Sequence, residues 1–289
     1  LGTAGPDYHF GWGMLNVKAA ADLLQDYKNS PGTRRVIEDR ITTTTTSRGY
    51  VLTWDGVSPI RATLCWIDPA GTATTSTDLR TARLVNNLNL TVTGPSGTVY
   101  QPWVMPFVGN WTNATLSTAA TTGVNSTDNV EQVLINSPGT AGLYTVTVNY
   151  SGTLTNSLQN FSLILSGGVS TASVAAPTSS AISPNSASTG TQTLTLTGNG
   201  FLHGANVKLT KSGQSDVPCT GQEIVSDSAK VRLNTAGMAA GTWNVVLSNP
   251  DGQSTTLANA FTVVSGLFSE DVESGATGWT SNATSPYTA

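Results

Sequence analysis

The sequence predicts a mainly β protein made of two β-sandwiches, a jelly-roll-like one followed by a small immunoglobulin-like one, with a single short helix ahead of them. Three observations predict this. Short runs alternate apolar and polar residues, clusters of Gly, Asn, Ser and Pro separate them, and only Val17 to Tyr27 has convincing helical spacing. At 289 residues the chain has room for two or three domains, each large enough for its own core.

The helix comes first. Gly11-Trp12-Gly13-Met14-Leu15-Asn16 reads as a compact turn, and Ala20, Leu23, Leu24 and Tyr27 then form one apolar face. Asn16 is a good N-cap, and the run from Asp26 to Gly32 is a good stop. A lone amphipathic helix needs a core to dock on. It is therefore expected to be the last helix of an α-containing domain whose body lies upstream of Leu1, and the chain reads as a fragment.

Eight strand candidates follow: Arg35–Thr45, Tyr50–Trp54, Ile60–Ile67, Leu84–Thr93, Thr98–Tyr100, Val130–Ile135, Leu143–Tyr150 and Phe161–Leu165. Eight short strands predict a jelly-roll double sheet over 34–167. Leu88, Leu90 and Val92 alternate with Asn89, Thr91 and Thr93, and Tyr144, Val146 and Val148 with Thr145, Thr147 and Asn149, so each strand has one wet face. The stretch from Gln101 to Asp128 is a long Asn/Thr-rich loop whose Trp103, Phe107 and Trp111 make it too aromatic for a bare linker.

Residues 168–176 are rich in Ser, Ala and Gly and read as a linker. Over 177–264 the strand candidates are Leu194–Thr197, Val207–Leu209, Lys230–Leu233, Trp243–Leu247 and Phe261–Val263, with a strong turn at Asn249-Pro250-Asp251-Gly252. Residues 265–289 are too few to fold alone and read as the start of a further, truncated β domain.

Charged residues are only 10% of the chain and the net charge is −4, with Thr, Ser, Asn and Gly filling the polar positions. That balance suits an extracellular protein. There is no basic stripe for nucleic acid and no apolar run long enough to span a bilayer. Cys65 and Cys219 fall in different predicted domains and read as isolated small residues rather than a disulfide. The Asn-x-Ser/Thr sequons, common in a chain this rich in Asn and Thr, are assigned no function.

The segment Gly5-Pro6-Asp7-Tyr8-His9-Phe10-Gly11-Trp12-Gly13-Met14-Leu15-Asn16 with its Ala-rich helix resembles the closing segment of a subtilisin-like serine protease catalytic domain. On that resemblance residues 1–33 are left over from an α/β catalytic domain. Leu64-Cys65-Trp66-Ile67-Asp68-Pro69-Ala70-Gly71, Leu84-Val85-Asn86-Asn87-Leu88-Asn89-Leu90, Asp128-Asn129-Val130-Glu131-Gln132-Val133 and Gly142-Leu143-Tyr144-Thr145-Val146 are similar, in order and spacing, to the jelly roll that follows that domain in a group of secreted bacterial subtilases. Ile182-Ser183-Pro184, Thr195 to Phe201, Trp243-Asn244-Val245-Val246 and Asn249 to Gly252 resemble an IPT/TIG domain. Phe268 to Gly275, with Gly278-Trp279, resembles the first strand of an adhesive or glycan-binding jelly roll.

No catalytic residue is assigned to this chain. A subtilase needs Ser, His and Asp in mutual reach, and none of the three family motifs is present. The resemblance places the nucleophile upstream of Leu1. His9 reads as a loop histidine and His203 as a turn residue, and neither has partners for a zinc site.

The candidate site is one for calcium, which takes six to eight oxygen ligands. Asp68 ends a strand in an Asp-Pro-Ala-Gly turn, Asn87 and Asn89 share one strand face, and Asp128 and Glu131 come from the approach to another strand. The resembling domains have Asp where Asn87 and Asn89 stand, so two charges are gone and the attraction for a cation is weaker. The competing reading is that these residues cap strand ends and bond to neighbouring loops.

Two functions follow as expectations. In the first, the chain is the non-catalytic C-terminal region of a secreted subtilisin-like serine endopeptidase. It stabilises the upstream catalytic domain in cis, shapes access for the protein substrate through the Trp103–Trp111 loop, and supplies spacer or binding modules for a cell-surface or glycan ligand. In the second, it is part of a surface adhesin or carbohydrate-binding array.

Overall fold

The computed structural model describes residues 5–33, 35–75, 81–106, 112–136, 139–171 and 175–264. The expected third β segment over 265–289, together with Phe107 and Trp111, lies outside the described residues.

Helix α1 spans Val17–Asn29, with the Asn16 side chain accepting from the Ala19 N–H and the Ser30 N–H donating to the Asp26 carbonyl. Both ends are where the sequence puts them. Its apolar face, expected to be buried, is not: no residue of α1 is buried in this chain.

The first sandwich contains β1 (Val36–Thr42), β2 (Ser47–Trp54), β3 (Ile60–Cys65), β4 (Asn87–Thr93), β5 (Val99–Tyr100), β6 (Trp103–Val104), the one-turn helix α2 (Asn113–Leu116), β7 (Thr121–Thr122), β8 (Val130–Ile135), β9 (Gly142–Ser151), β10 (Leu158–Ser166) and β11 (Val169–Thr171). One sheet runs β1-β10-β3-β8 and the other β11-β2-β9-β4-β5. The pairing is nested: β1 with β10, β2 with β9, β3 with β8, β4 with β5, all antiparallel. That is a jelly roll, whose two sheets enclose one core. Strand alternation fills it. Leu88, Leu90 and Val92 of β4 and Val146 and Val148 of β9 have no exposed surface, and Trp54 meets Tyr144 edge-on with ring centroids 5.4 Å apart. Each fully buried side chain of this size contributes about 1.5–3 kcal/mol by leaving water. Val169–Thr171, read from the sequence within the linker, pairs with β2 and extends this sandwich.

The long aromatic loop carries the β6–β7 ribbon and α2. Residues 5–11 lie against it. Gly5 has φ +84°, and a Cβ there would come within 2.8 Å of the Trp103 ring, so the approach needs glycine.

The second sandwich contains β12 (Thr178–Ser183), β13 (Ser186–Ala187), β14 (Thr191–Asn199), β15 (Asn206–Thr210), β16 (Val217–Pro218), β17 (Thr220–Val225), β18 (Ser228–Asn234), β19 (Gly241–Ser248) and β20 (Ser254–Val263). Its sheets run β12-β14-β18-β17 and β13-β20-β19-β15-β16, an immunoglobulin-like arrangement. Trp243, Phe261, Leu194, Leu196, Val231 and Leu247 centre a second core, separate from the first.

Candidate functional site

The residues singled out for calcium fall in two places. Asp68, just after β3, spends both carboxylate oxygens on backbone: Oδ2 accepts from the Val85 N–H at 2.6 Å and Oδ1 from the Asn86 N–H at 2.8 Å. It holds the approach to β4 against the end of β3. It also lines a shallow groove of about 510 Å³ on the outer face of the β1-β10-β3-β8 sheet, with Cys65, Ile67 and Asn160.

Glu131 and Asn89 line a different cleft, of about 230 Å³, where the free edge of β4 faces β8, with Asn125, Gln101 and Asn149 in its wall. The geometry follows from the topology. β5 covers β4 only at Val92 and Thr93, so the Leu90 N–H further along that edge has no strand partner. Glu131, on the inward face of β8 with Val133 and Ile135, reaches across and accepts it through Oε2 at 2.7 Å. The other oxygen, Oε1, is buried without a hydrogen bond.

Glu131 has no exposed surface. Burial pushes its carboxyl up to about 8, against the lowering effect of the Leu90 N–H and with a further push from Asp128. Asn89 donates from Nδ2 to Asn149 Oδ1 at 3.1 Å and Ser151 Oγ at 3.0 Å, while its Oδ1 is buried and unbonded. Asn87 Oδ1, one turn of the pleat earlier, is also buried and unbonded. Asp128 accepts from Asn125 Nδ2 at 2.9 Å, and Asn125 Oδ1 in turn accepts from the Thr127 and Asp128 N–H groups.

The structure thus brings Glu131 and Asn89 to one cleft, with Asp128 beside its wall, and puts Asp68 in another groove. Oxygen donors are plentiful there and carboxylates are few. Among the described residues, no three acidic, His or Cys side chains converge as a metal-binding group.

Sequence reasoning missed Asn86 and Gln159. Asn86 is wholly buried; its Oδ1 accepts from the Thr155 N–H at 2.7 Å and its Nδ2 donates to Gln159 Oε1 at 2.9 Å. Gln159 Nε2 then donates to the Ile67 carbonyl at 3.0 Å. This amide chain ties three loops at one end of the jelly roll. Only the Asn-Asn pair at 86 and 87 hinted at it, since an Asn on the core side of a strand must find partners.

No nucleophile is poised among the described residues. His9 Nε2 and Ser117 Oγ lie 3.1 Å apart on the surface, but Ser117 Oγ also donates to the Asn113 carbonyl at 2.7 Å. Asp7, two residues earlier, takes the backbone N–H groups of His9 and Phe10 through Oδ1. Nothing orients the ring as a triad requires. Cys219 is buried, which pushes its thiol up to about 11 and keeps it a protonated core residue. No helix is long and apolar enough to cross a membrane among the described residues.

No curated protein matches the chain. Two solved structures are similar to it at low identity. One is a DUF4785 family protein from Legionella pneumophila, 9% identical over 80% of this chain and 61% of that one, with a TM-score of 0.23. The other is the adhesin domain of Epf from Streptococcus pyogenes, 10% identical over 81% of this chain and 79% of that one, with a TM-score of 0.26. This chain therefore spans about three fifths of the Legionella protein's length. Residues 177–263, the second sandwich, match the family model of the IPT/TIG domain, and that module is present here.

Proposed function

We propose that this chain is the non-catalytic C-terminal region of a secreted, multi-domain subtilisin-like serine endopeptidase, with the jelly roll bracing the upstream catalytic domain and the IPT/TIG domain serving as spacer or binding module. The observation that carries the proposal is the bare face of α1 and its turn. Phe10, Trp12, Met14, Leu15, Val17 and Leu24 are all exposed, Leu15 at 85%, beside two filled cores. On this reading the helix, with well-formed caps and meeting the sandwiches through Tyr27 at its last turn, takes its main support from a surface outside the two sandwiches. Residues 5–9 also pack on the Trp103–Ser117 excursion, with the Tyr8 hydroxyl donating to the Pro106 carbonyl and His9 meeting Ser117. That contact supports a role for the excursion at the border with the catalytic domain.

Two assays test this. The isolated chain should not hydrolyse casein, and the gene's full-length product should do so and be blocked by a serine-directed fluorophosphonate. Serine-directed turnover by the isolated chain, or an upstream region made only of further β modules, overturns the reading. The second of those outcomes favours the surface adhesin or carbohydrate-binding array, for which the IPT/TIG domain is equally at home and in which the ligand is a cell-surface glycan or protein.

Calcium in the β4–β8 cleft belongs to the same proposal. Its support is the pair of buried oxygens without partners, Glu131 Oε1 and Asn89 Oδ1, with Asn125 and Asp128 alongside. A bound ion would tie the two sheets together at their open edge. Millimolar calcium should raise the melting temperature, because a ligand that binds only the folded state stabilises it. An unchanged melting temperature removes the metal.

A further inference from the structure

The hairpin joining β17 to β18 touches the first sandwich at a point where that sandwich has a buried charge. Asp39 lies on the inward face of β1 between Ile37 and Ile41 and is 1% exposed. Within its own sandwich it accepts from the Tyr50 hydroxyl at 2.7 Å and lies 3.5 Å from Arg48 Nε. Its Oδ1 also accepts from the Arg40 N–H at 2.8 Å, and from the other sandwich it takes the Ser226 hydroxyl at 2.8 Å and the Ser226 N–H at 3.4 Å.

The next residue, Asp227, sits between two arginines of the first sandwich: Oδ1 is 2.9 Å from Arg40 and Oδ2 is 2.7 Å from Arg48. Arg48 Nε also donates to the Arg40 carbonyl at 3.0 Å, so the Arg48 guanidinium is itself held in place. The hairpin tip is equally fixed. The Ser226 carbonyl accepts from the Phe201 N–H at 3.1 Å and the Asp227 carbonyl from the Gly198 N–H at 3.0 Å.

Around this core the contact continues. Asn160 donates to Glu223 at 3.1 Å, and the Tyr27 hydroxyl donates to the His203 carbonyl at 2.7 Å. Tyr27, Ile37, Tyr50, Phe201 and Leu202 close on a space of about 20 Å³, room for one water. Six residues separate β11 from β12, and two domains joined in one chain keep a fixed relative orientation only where a noncovalent contact between them fixes it.

We infer that the Ser226–Asp227 hairpin tip locks the IPT/TIG domain to the jelly roll at a fixed angle, with Asp39, Arg40 and Arg48 as its socket. Two acids meet two arginines, so the socket is charge-balanced only when the tip is in it. An exposed ion pair contributes about 0–1 kcal/mol and would not hold two domains. Here the decisive group is Asp39, whose buried carboxylate loses a hydrogen-bond donor when the tip leaves. The inference sharpens the spacer reading to a rigid spacer, and its failure would leave the docking of α1 on an upstream domain untouched.

Backbone ¹⁵N relaxation on the full chain tests it. Amides of the two sandwiches should share one rotational correlation time. Asp227→Lys sets a third positive charge against Arg40 and Arg48 and should abolish that shared value, each domain tumbling separately with its amide shifts away from the contact unchanged. If that variant unfolds the second sandwich, Ser226→Ala combined with Asp227→Ala repeats the test on a chain that keeps the Asp39–Arg48 pair but lacks both the Ser226 hydroxyl donor and the Asp227 carboxylate, with the same expected loss. Different correlation times in the unaltered chain, or a shared value that survives in a folded variant, overturns the lock.

Discussion

Glu131 is a carboxyl placed where a carboxylate is costly. Its pKa of about 8 in the folded chain stands above the ordinary value of 4.5, so the folded state holds the proton more tightly than the unfolded state does. The stability from this proton is fully present below pH 4.5 and is lost as pH rises through about 8. Over that window the loss is on the order of a few kcal/mol. The melting temperature of the jelly roll should therefore fall between about pH 5 and pH 9, and Glu131→Gln should flatten the profile while its amide oxygen still accepts the Leu90 N–H. A profile in the unaltered chain as flat as the variant's would show that Glu131 is ionised when folded. Calcium and the proton would compete for Oε1, so any calcium stabilisation should be larger at the alkaline end. The sequence showed the polar residues of this cleft but not which of them are buried, because burial of Glu131 depends on β8 facing the free edge of β4, a long-range fact.

At the scale of elements, strands were legible where apolar and polar residues alternate and obscure where they do not. β4 and β9 could be read directly from Leu88-Asn89-Leu90 and Val146-Thr147-Val148. β12, Thr-Ser-Ser-Ala-Ile-Ser, buries only Ile182, and β17 buries only Ile224 and Val225. Both lie at the ends of their sheet, where one neighbour suffices and little apolar surface is required. Helix α1 was the reverse case, with caps and period plain in the sequence but Val17 and Leu24 left exposed, while Tyr27 at its last turn meets the His203 carbonyl. Helices of this length are marginal in water without packing. In the isolated chain, amides of Val17–Asn29 should exchange with solvent orders of magnitude faster than those of β9, and Leu24→Ser should leave the melting temperature within about 0.5 kcal/mol equivalent of the unaltered chain. In the full-length product the same substitution should be clearly destabilising if α1 docks there. Slow exchange of α1 in the isolated chain would mean that its bare face is covered without an upstream domain.

For the molecule as a whole, the nested pairing of the jelly roll has consequences that no single strand reveals. Strand β10 lies between β1 and β3, pairing Val36 with Ile164 on one side and Leu64 with Leu163 on the other. It is the last long strand of the sandwich in sequence and an interior strand of its sheet. Without it, β1 and β3 face each other with unpaired edges, and Phe161, Leu163 and Leu165 leave the core. Losing three such side chains removes roughly 5–9 kcal/mol of burial by area bookkeeping, comparable to the whole stability of a domain. A chain ending at Ser157 should therefore lack a folded first sandwich, seen as loss of the near-ultraviolet signal from buried Trp54 and Tyr144. A chain ending at Thr171 keeps every strand of that sandwich and should retain the signal, although Asp39 then loses Ser226 and the melting temperature should drop. A folded jelly roll in the shorter chain would show that β10 is not the central strand this topology makes it.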